Sequence, residues 1–219
     1  MLYFLHIPKT GGTSLVFALK ASRPLYLISP SLPLATKNYN IGVHKGKKWV
    51  ISGHVHYGIH EQIDCPHEYV TILRHPIQRV LSSYKHIKRA VSRGNMGQTG
   101  AKFAHRPLSV FVEHSWMVRN LATRQLCGKG HADLSPLTEQ DFNLALENLK
   151  TIKYVGVTEH LDELWHKIRT DYGFSVNIGR HNVTVNNEVD DVSDDDAKSI
   201  LTFNEWDLKL YEHAKSQYV

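Results

Sequence analysis

The sequence predicts a three-layer α/β fold: a central parallel sheet with helices on both faces, formed by residues 1–219 as one domain. Short apolar runs that read as buried strands alternate with longer segments of helical periodicity. Turn residues such as Gly53-His54 and His75-Pro76 close two of those runs. The ends of the first three runs carry Lys9, His54 and Arg74. In folds of this class ligands sit beyond the carboxyl ends of the strands, so these three residues mark the expected site.

Residues 2–7 (LYFLHI) contain no turn residue and read as a buried strand. Pro8 through Gly12 form a tight loop, and Thr13 and Ser14 precede Leu15 to Leu19 as the hydroxyl cap of a helix. Residues 24–47, with Pro24, Pro30, Pro33 and Gly42, read as a long irregular excursion. Residues 48–52 (KWVIS) and 69–73 (YVTIL) are the second and third strands. A helix runs from about Ile77 to Arg93, and the Gly-rich, basic residues 94–106 follow. Helical periodicity returns over 108–126 and 138–150, with Thr138 and Asp141 resembling a capping box. Residues 152–157 (IKYVGV) are the fourth strand. A helix follows from Leu161 to Tyr172, with Gly173 just past its end. Ser193 and the carboxylates of Asp194 to Asp196 open a last helical region. No repeat or linker divides the chain.

A chain of 219 residues can bury a substantial core, and 42% hydrophobic against 21% charged residues excludes a disordered chain. The net charge of +5 favours anionic ligands, without choosing among nucleotides, acidic glycans and nucleic acid. Cys65 and Cys127 form no CxxC pair, which argues against a zinc ribbon or a redox motif; both read as ordinary buried thiols. No apolar run approaches the roughly 18 residues of a membrane span. The N-terminal MLYFLHIPKTGG lacks the basic start and cleavage site of a signal peptide. A cytoplasmic protein is expected, or a soluble catalytic domain trimmed from a membrane-anchored enzyme.

The strongest motif is His6-Ile7-Pro8-Lys9-Thr10-Gly11-Gly12-Thr13-Ser14. A strand, a glycine turn and a helix N-terminus make a phosphate site, because glycines let the backbone approach and free N–H groups face the anion. Lys9 adds a charge, and Thr10, Thr13 and Ser14 add hydroxyls. In the Walker loop lysine follows the glycines, whereas here it precedes them. The second motif runs from Arg74 through Pro76, Arg79 and Ser82 to Tyr84. Arg74 ends a strand and can grip a phosphate bidentately, while Arg79 and Ser82 lie three apart on the next helix. The third is Ser52-Gly53-His54-Val55-His56-Tyr57, whose His54 suits a general base.

Pro8 to Ser14 resembles the 5′-phosphosulfate loop of the sulfotransferase superfamily, above all the carbohydrate family containing heparan sulfate 2-O-sulfotransferase. Arg74 to Tyr84 resembles that family's 3′-phosphate loop, and Gly53-His54-Val55 its Gly-His-Val stretch. Tyr154 to Glu159 with Leu161, and Cys127-Gly128, are similar to later family segments. The resemblance implies a P-loop-like sulfotransferase domain of bacterial type. It would take a sulfuryl group from 3′-phosphoadenosine 5′-phosphosulfate (PAPS), release 3′-phosphoadenosine 5′-phosphate (PAP), and sulfate a hydroxyl, expectedly on a glycan.

The resemblance further implies that Lys9, Thr10, Gly11, Gly12, Thr13 and Ser14 bind the donor with Arg74 and Ser82, and that Asn182 and Thr184 belong to a loop contacting the nucleotide. Asn182-Val183-Thr184 is also a glycosylation sequon. His54 would be the base, and Lys9 would stabilise the leaving phosphate. His56 and the acid-free basic stretch containing Arg89 and Arg93 would face an anionic acceptor, unless that stretch is only a solvated surface. Neither a metal nor a nucleic-acid partner is called for. A P-loop nucleotide kinase and a non-catalytic nucleotide- or glycan-binding relative stay open as alternatives.

Overall fold

A computed structural model describes residues 1–22, 25–28, 49–62, 66–94, 102–115, 118–130, 133, 135–179 and 192–218. Five parallel strands form one sheet: β1 (Leu2–Leu5), β2 (Leu25–Ile28), β3 (Trp49–Gly53), β4 (Glu68–Leu73) and β5 (Tyr154–Val157), in the order β2-β3-β1-β4-β5. From β1 the chain passes to the sheet edge at β2, returns inward to β3 beside β1, then crosses to β4 on the other side of β1 and continues outward to β5. Strand β1, with β3 and β4 as neighbours, is therefore where the strand order switches, and a crevice opens above such a point.

The alternation of side chains along each strand sorts the core into two layers. Tyr3, Leu5, Ile51, Tyr69, Leu73 and Val155 point to one face. There they meet α4 (Leu121–Leu126), α5 (Glu139–Thr151) and α8 (Glu205–Tyr218) through residues such as Leu126, Leu149 and Leu210. Leu2, Phe4, Val50, Val70 and Ile72 point to the other face. That side packs on α1 (Gly12–Ala21) and α6 (Leu161–Tyr172) through Leu15, Leu19, Trp165 and Ile168. A third cluster joins α2 (Pro76–Ser92), α3 (Leu108–His114) and α7 (Asp194–Phe203) through Val80, Ile87, Phe111 and Ile200. The expected three-layer α/β architecture is present.

Four expectations are corrected. The excursion over 24–47 contains β2, whose four residues complete the sheet edge beside β3. The first strand ends at Leu5 rather than residue 7: the His6 N–H makes the last contact with β3, on the Gly53 carbonyl, and the Ile7 N–H turns back onto the Leu5 carbonyl. The helix expected over 108–126 is two helices. The first ends at His114 with Ser115 extended, and Asn120, with a left-handed φ of 42°, is the N-cap of the second; its Oδ1 accepts the N–H groups of Trp206 and Asp207 at 3.2 and 3.1 Å. Thr13 and Ser14 do not cap α1; the N-cap is Gly11 and no side chain caps it. Three other helix ends are as expected. Thr138 and Asp141 form the capping box, Ser193 accepts from the Asp196 N–H, and Gly173 closes α6 with a φ of 64°. Asn182 and Thr184 lie outside the described residues, as does Cys65. Cys127 is a buried free thiol, its pKa pushed up by burial.

Candidate active site

The loop after β1 is built to leave its backbone N–H groups open. Gly11 adopts a φ of 82°, which only glycine takes without strain, and so turns the chain straight into α1. Gly12 is buried against the His6 ring; a Cβ there would lie 2.3 Å from His6 Cδ2. Any larger residue would have to displace that ring or the helix start. Gly12 and Thr13 stand in the first turn of α1, where N–H groups have no intrahelical partner and the helix dipole favours an anion.

Thr10, by contrast, is buried with its hydroxyl donating to the Ile7 carbonyl at 2.9 Å, so its side chain shapes the loop itself. Lys9 sits at a φ of 70°, an uncommon conformation for a non-glycine residue and one characteristic of functional loops. Burial, and then the charges of Arg89 and Arg74, hold the Lys9 pKa below the ordinary lysine value. Lys9 therefore sits in a field that is already positive.

Two contacts fasten this loop to the neighbouring strand ends. Arg74, which follows β4, donates from Nη1 to the Lys9 carbonyl at 3.1 Å. Thr158, which follows β5, donates from Oγ1 to the Thr10 carbonyl at 2.9 Å, with the Leu73 carbonyl 3.2 Å away. Burial holds the Arg74 pKa down, and the carboxylate of Glu159 partly offsets this.

His54 follows β3 on the opposite side of β1. Its Nδ1 lies 2.7 Å from the His6 carbonyl oxygen. A carbonyl can only accept, so Nδ1 carries the proton and Nε2 of the neutral ring is the acceptor. The His54 ring lies 4.9 Å from the His6 ring, which stacks at 5.0 Å on Phe4. Burial, His54 and Lys9 together lower the His6 pKa to about 3, so His6 is a neutral packing ring and no rival base. His56 stays half-buried, with its ring carbons 3.8–3.9 Å from where a Cβ on Gly130 would stand.

On α2, Ser82, His86, Arg89 and Arg93 follow at helical spacing along one stripe, with Ser82 half-buried and the others exposed. The Arg79 side chain turns the other way. It is fully buried, donating from Nη2 to the Val118 carbonyl at 2.8 Å, Asn204 Oδ1 at 2.9 Å and Asp207 Oδ2 at 3.3 Å. Sequence reasoning passed over His86, whose pKa is lowered by burial and by the charges of Lys9 and Arg89. Its position four residues after Ser82 was the available signal. Thr158, just after β5, lies in the Tyr154 to Glu159 stretch, where only the resemblance to a family segment pointed to it. Among the described residues no group of three or more His, Cys, Asp or Glu is arranged to hold a metal, and no helix is long and apolar enough to cross a membrane.

A family model described as "Sulfotransferase family" matches residues 1–214. Heparan-sulfate 6-O-sulfotransferase 3 of Mus musculus is 25% identical over 274 aligned residues, which take in 100% of this chain and 57% of that protein. The chain thus spans little more than half the length of this curated relative, whose name specifies 6-O rather than 2-O sulfation. A crystal structure of mouse sulfotransferase SULT7A1 complexed with PAP covers 80% of this chain and 60% of its own, at 17% identity and a TM-score of 0.43.

Proposed function

Because the chain belongs to the sulfotransferase family, we propose that it moves a sulfuryl group from PAPS to a carbohydrate hydroxyl, with His54 as the general base. The observation that carries this reading is the His54 Nδ1 contact with the His6 carbonyl, which leaves Nε2 as a proton acceptor above the same strand ends as the Lys9 loop. The open first turn of α1 and its glycine pair fit a 5′-phosphosulfate, and Arg74 with Ser82 fits a 3′-phosphate. The acceptor oxygen attacks sulfur in line and a new O–S bond forms. The bond from sulfur to the bridging oxygen of the 5′-phosphate breaks, the hydroxyl proton passes to His54 Nε2, and PAP leaves. Lys9 stabilises the charge that builds on the departing oxygen. Positioning and electrostatics supply most of the catalysis in such group transfers.

The primary test is transfer of radiolabel from ³⁵S-PAPS to a panel of acidic and neutral glycans, tyrosyl peptides and phenols. Label on a glycan supports the reading, and label only on peptide or phenol overturns its acceptor class. For the donor, calorimetry should give far tighter binding of PAP than of AMP. Arg74→Ala should weaken PAP by about 1.5–3 kcal/mol, the usual worth of a charge-assisted hydrogen bond. Equal affinity for PAP and AMP in the wild-type protein would remove the 3′-phosphate site.

The stripe on α2 divides the acceptor question in two. Arg93→Glu should raise the acceptor KM and leave PAP affinity unchanged. Arg89→Glu should disturb both, because the charge of Arg89 reaches Lys9. Salt should weaken acceptor binding in parallel, since exposed charges are screened over about 8 Å at physiological ionic strength. If both substitutions are silent and the best acceptor is uncharged, the stripe is only a solvated surface.

A further inference from the structure

The segment carrying the base, residues 54–57, leaves the ladder of β3, and its peptide groups need partners elsewhere. One residue supplies two of them. Gln125 of α4 is completely buried. Its side-chain Nε2 donates to the Val55 carbonyl at 2.8 Å, and its main-chain carbonyl accepts the Tyr57 N–H at 2.8 Å. These bonds hold the peptide groups on either side of His56, directly after His54. The turn that ends α4 backs the same segment, since a Cβ on Gly128 would stand 3.4 Å from the Tyr57 carbonyl oxygen.

Helix α4 is itself rigidly placed. All six of its residues are buried, and the Asp207 carboxylate accepts from the Ala122 and Thr123 N–H groups at 3.1 and 2.9 Å. Gln125 Oε1 is buried and has no hydrogen-bond partner among the described residues. An apolar side chain of equal volume would fill the space but leave the Val55 carbonyl without its donor, so packing alone does not account for a glutamine here.

We infer that the Gln125 side chain is the positioning group of the base segment, fixing the Val55 carbonyl so that His54 Nε2 stays directed at the acceptor hydroxyl. This rests on the histidine-base reading above. The test compares wild type, Gln125→Met, His54→Ala and the double variant, each as kcat per PAP-binding site measured by calorimetry. Methionine keeps the length of glutamine and removes the donor.

Gln125→Met should lower kcat by about 10–10²-fold, the effect of misplacing a reacting group by around 1 Å, with PAP affinity nearly unchanged. Because Gln125 acts through His54, the double variant should match His54→Ala within about twofold, where independent sites would multiply their losses. Unchanged kcat per site in Gln125→Met, or multiplied losses in the double variant, overturns the inference while the base reading stands. Full turnover in His54→Ala overturns both. If Gln125→Met fails to bind PAP, Gln125→Asn, one methylene shorter, is read by the same ratios.

Discussion

Replacing His54 with alanine should cut turnover by about 10²–10⁴-fold, the usual contribution of general-base assistance, while PAP affinity and folding stay nearly intact. The donor loop explains the split: Lys9, Arg74 and the first turn of α1 make their mutual contacts without the His54 ring. His56→Ala should do much less, because that ring packs toward Gly130 and carries no assigned proton transfer. Activity should also fall in acid as the base takes up a proton.

That acid limb has to be separated from unfolding. The folded protein holds the His6 pKa at about 3, whereas an unfolded histidine titrates near 6.5. Between those values the unfolded state binds the extra proton. The contribution of His6 to stability is therefore complete above about pH 6.5 and is lost progressively as pH falls toward 3. Turnover is best measured alongside near-UV circular dichroism at each pH. Near-normal turnover by folded His54→Ala would end its assignment as base and turn attention to His56.

Asp207→Ala should destabilise the fold by about 3–5 kcal/mol, the typical result of leaving a buried charge without its partner. The Asp207 carboxylate accepts from Arg79 Nη2 at 3.3 Å and from three groups of α4: the N–H groups of Ala122 and Thr123 and the Thr123 hydroxyl. Arg79 and Asp207 are 1% and 3% exposed, so water cannot take over either role. Among the described residues Arg79 Nε and Nη1 already have no hydrogen-bond partner, which leaves the guanidinium little to fall back on. Set against the roughly 5–15 kcal/mol by which domains are stable, the loss is severe. Urea titration should show a lower midpoint at unchanged slope. Asp207→Asn keeps an acceptor and should lose less. A loss under about 1 kcal/mol in Asp207→Ala would mean that Arg79 finds relief elsewhere.

The same pair shows why part of this protein was legible from its residues and part was not. In the segment from Arg74 to Ser82 both arginines look alike, each followed by helical periodicity. Only the packing of α2 against α7 and α8 turns Arg79 inward to residues more than a hundred positions away, while Arg74 stays at the strand end beside Lys9. Likewise Gln125 looks like any polar residue of an amphipathic segment. Its value comes from the Val55 carbonyl, seventy residues earlier in the chain.

The sequence by itself determined the strand, glycine turn and helix over residues 2–21, the caps at Thr138, Gly173 and Ser193, and the presence of Lys9, His54 and Arg74 at strand ends. Each of these depends on backbone conformation and hydrogen bonds within about one turn of chain, so a short window of residues holds all the necessary chemistry. Tertiary structure alone decided that β3 and β4 flank β1, which sets the three strand ends that carry these residues side by side. It alone brought β2 to the sheet edge and split the long helix between His114 and Asn120. Those outcomes turn on which distant surfaces bury each other, and contacts such as Asn120 with Asp207 have no local trace.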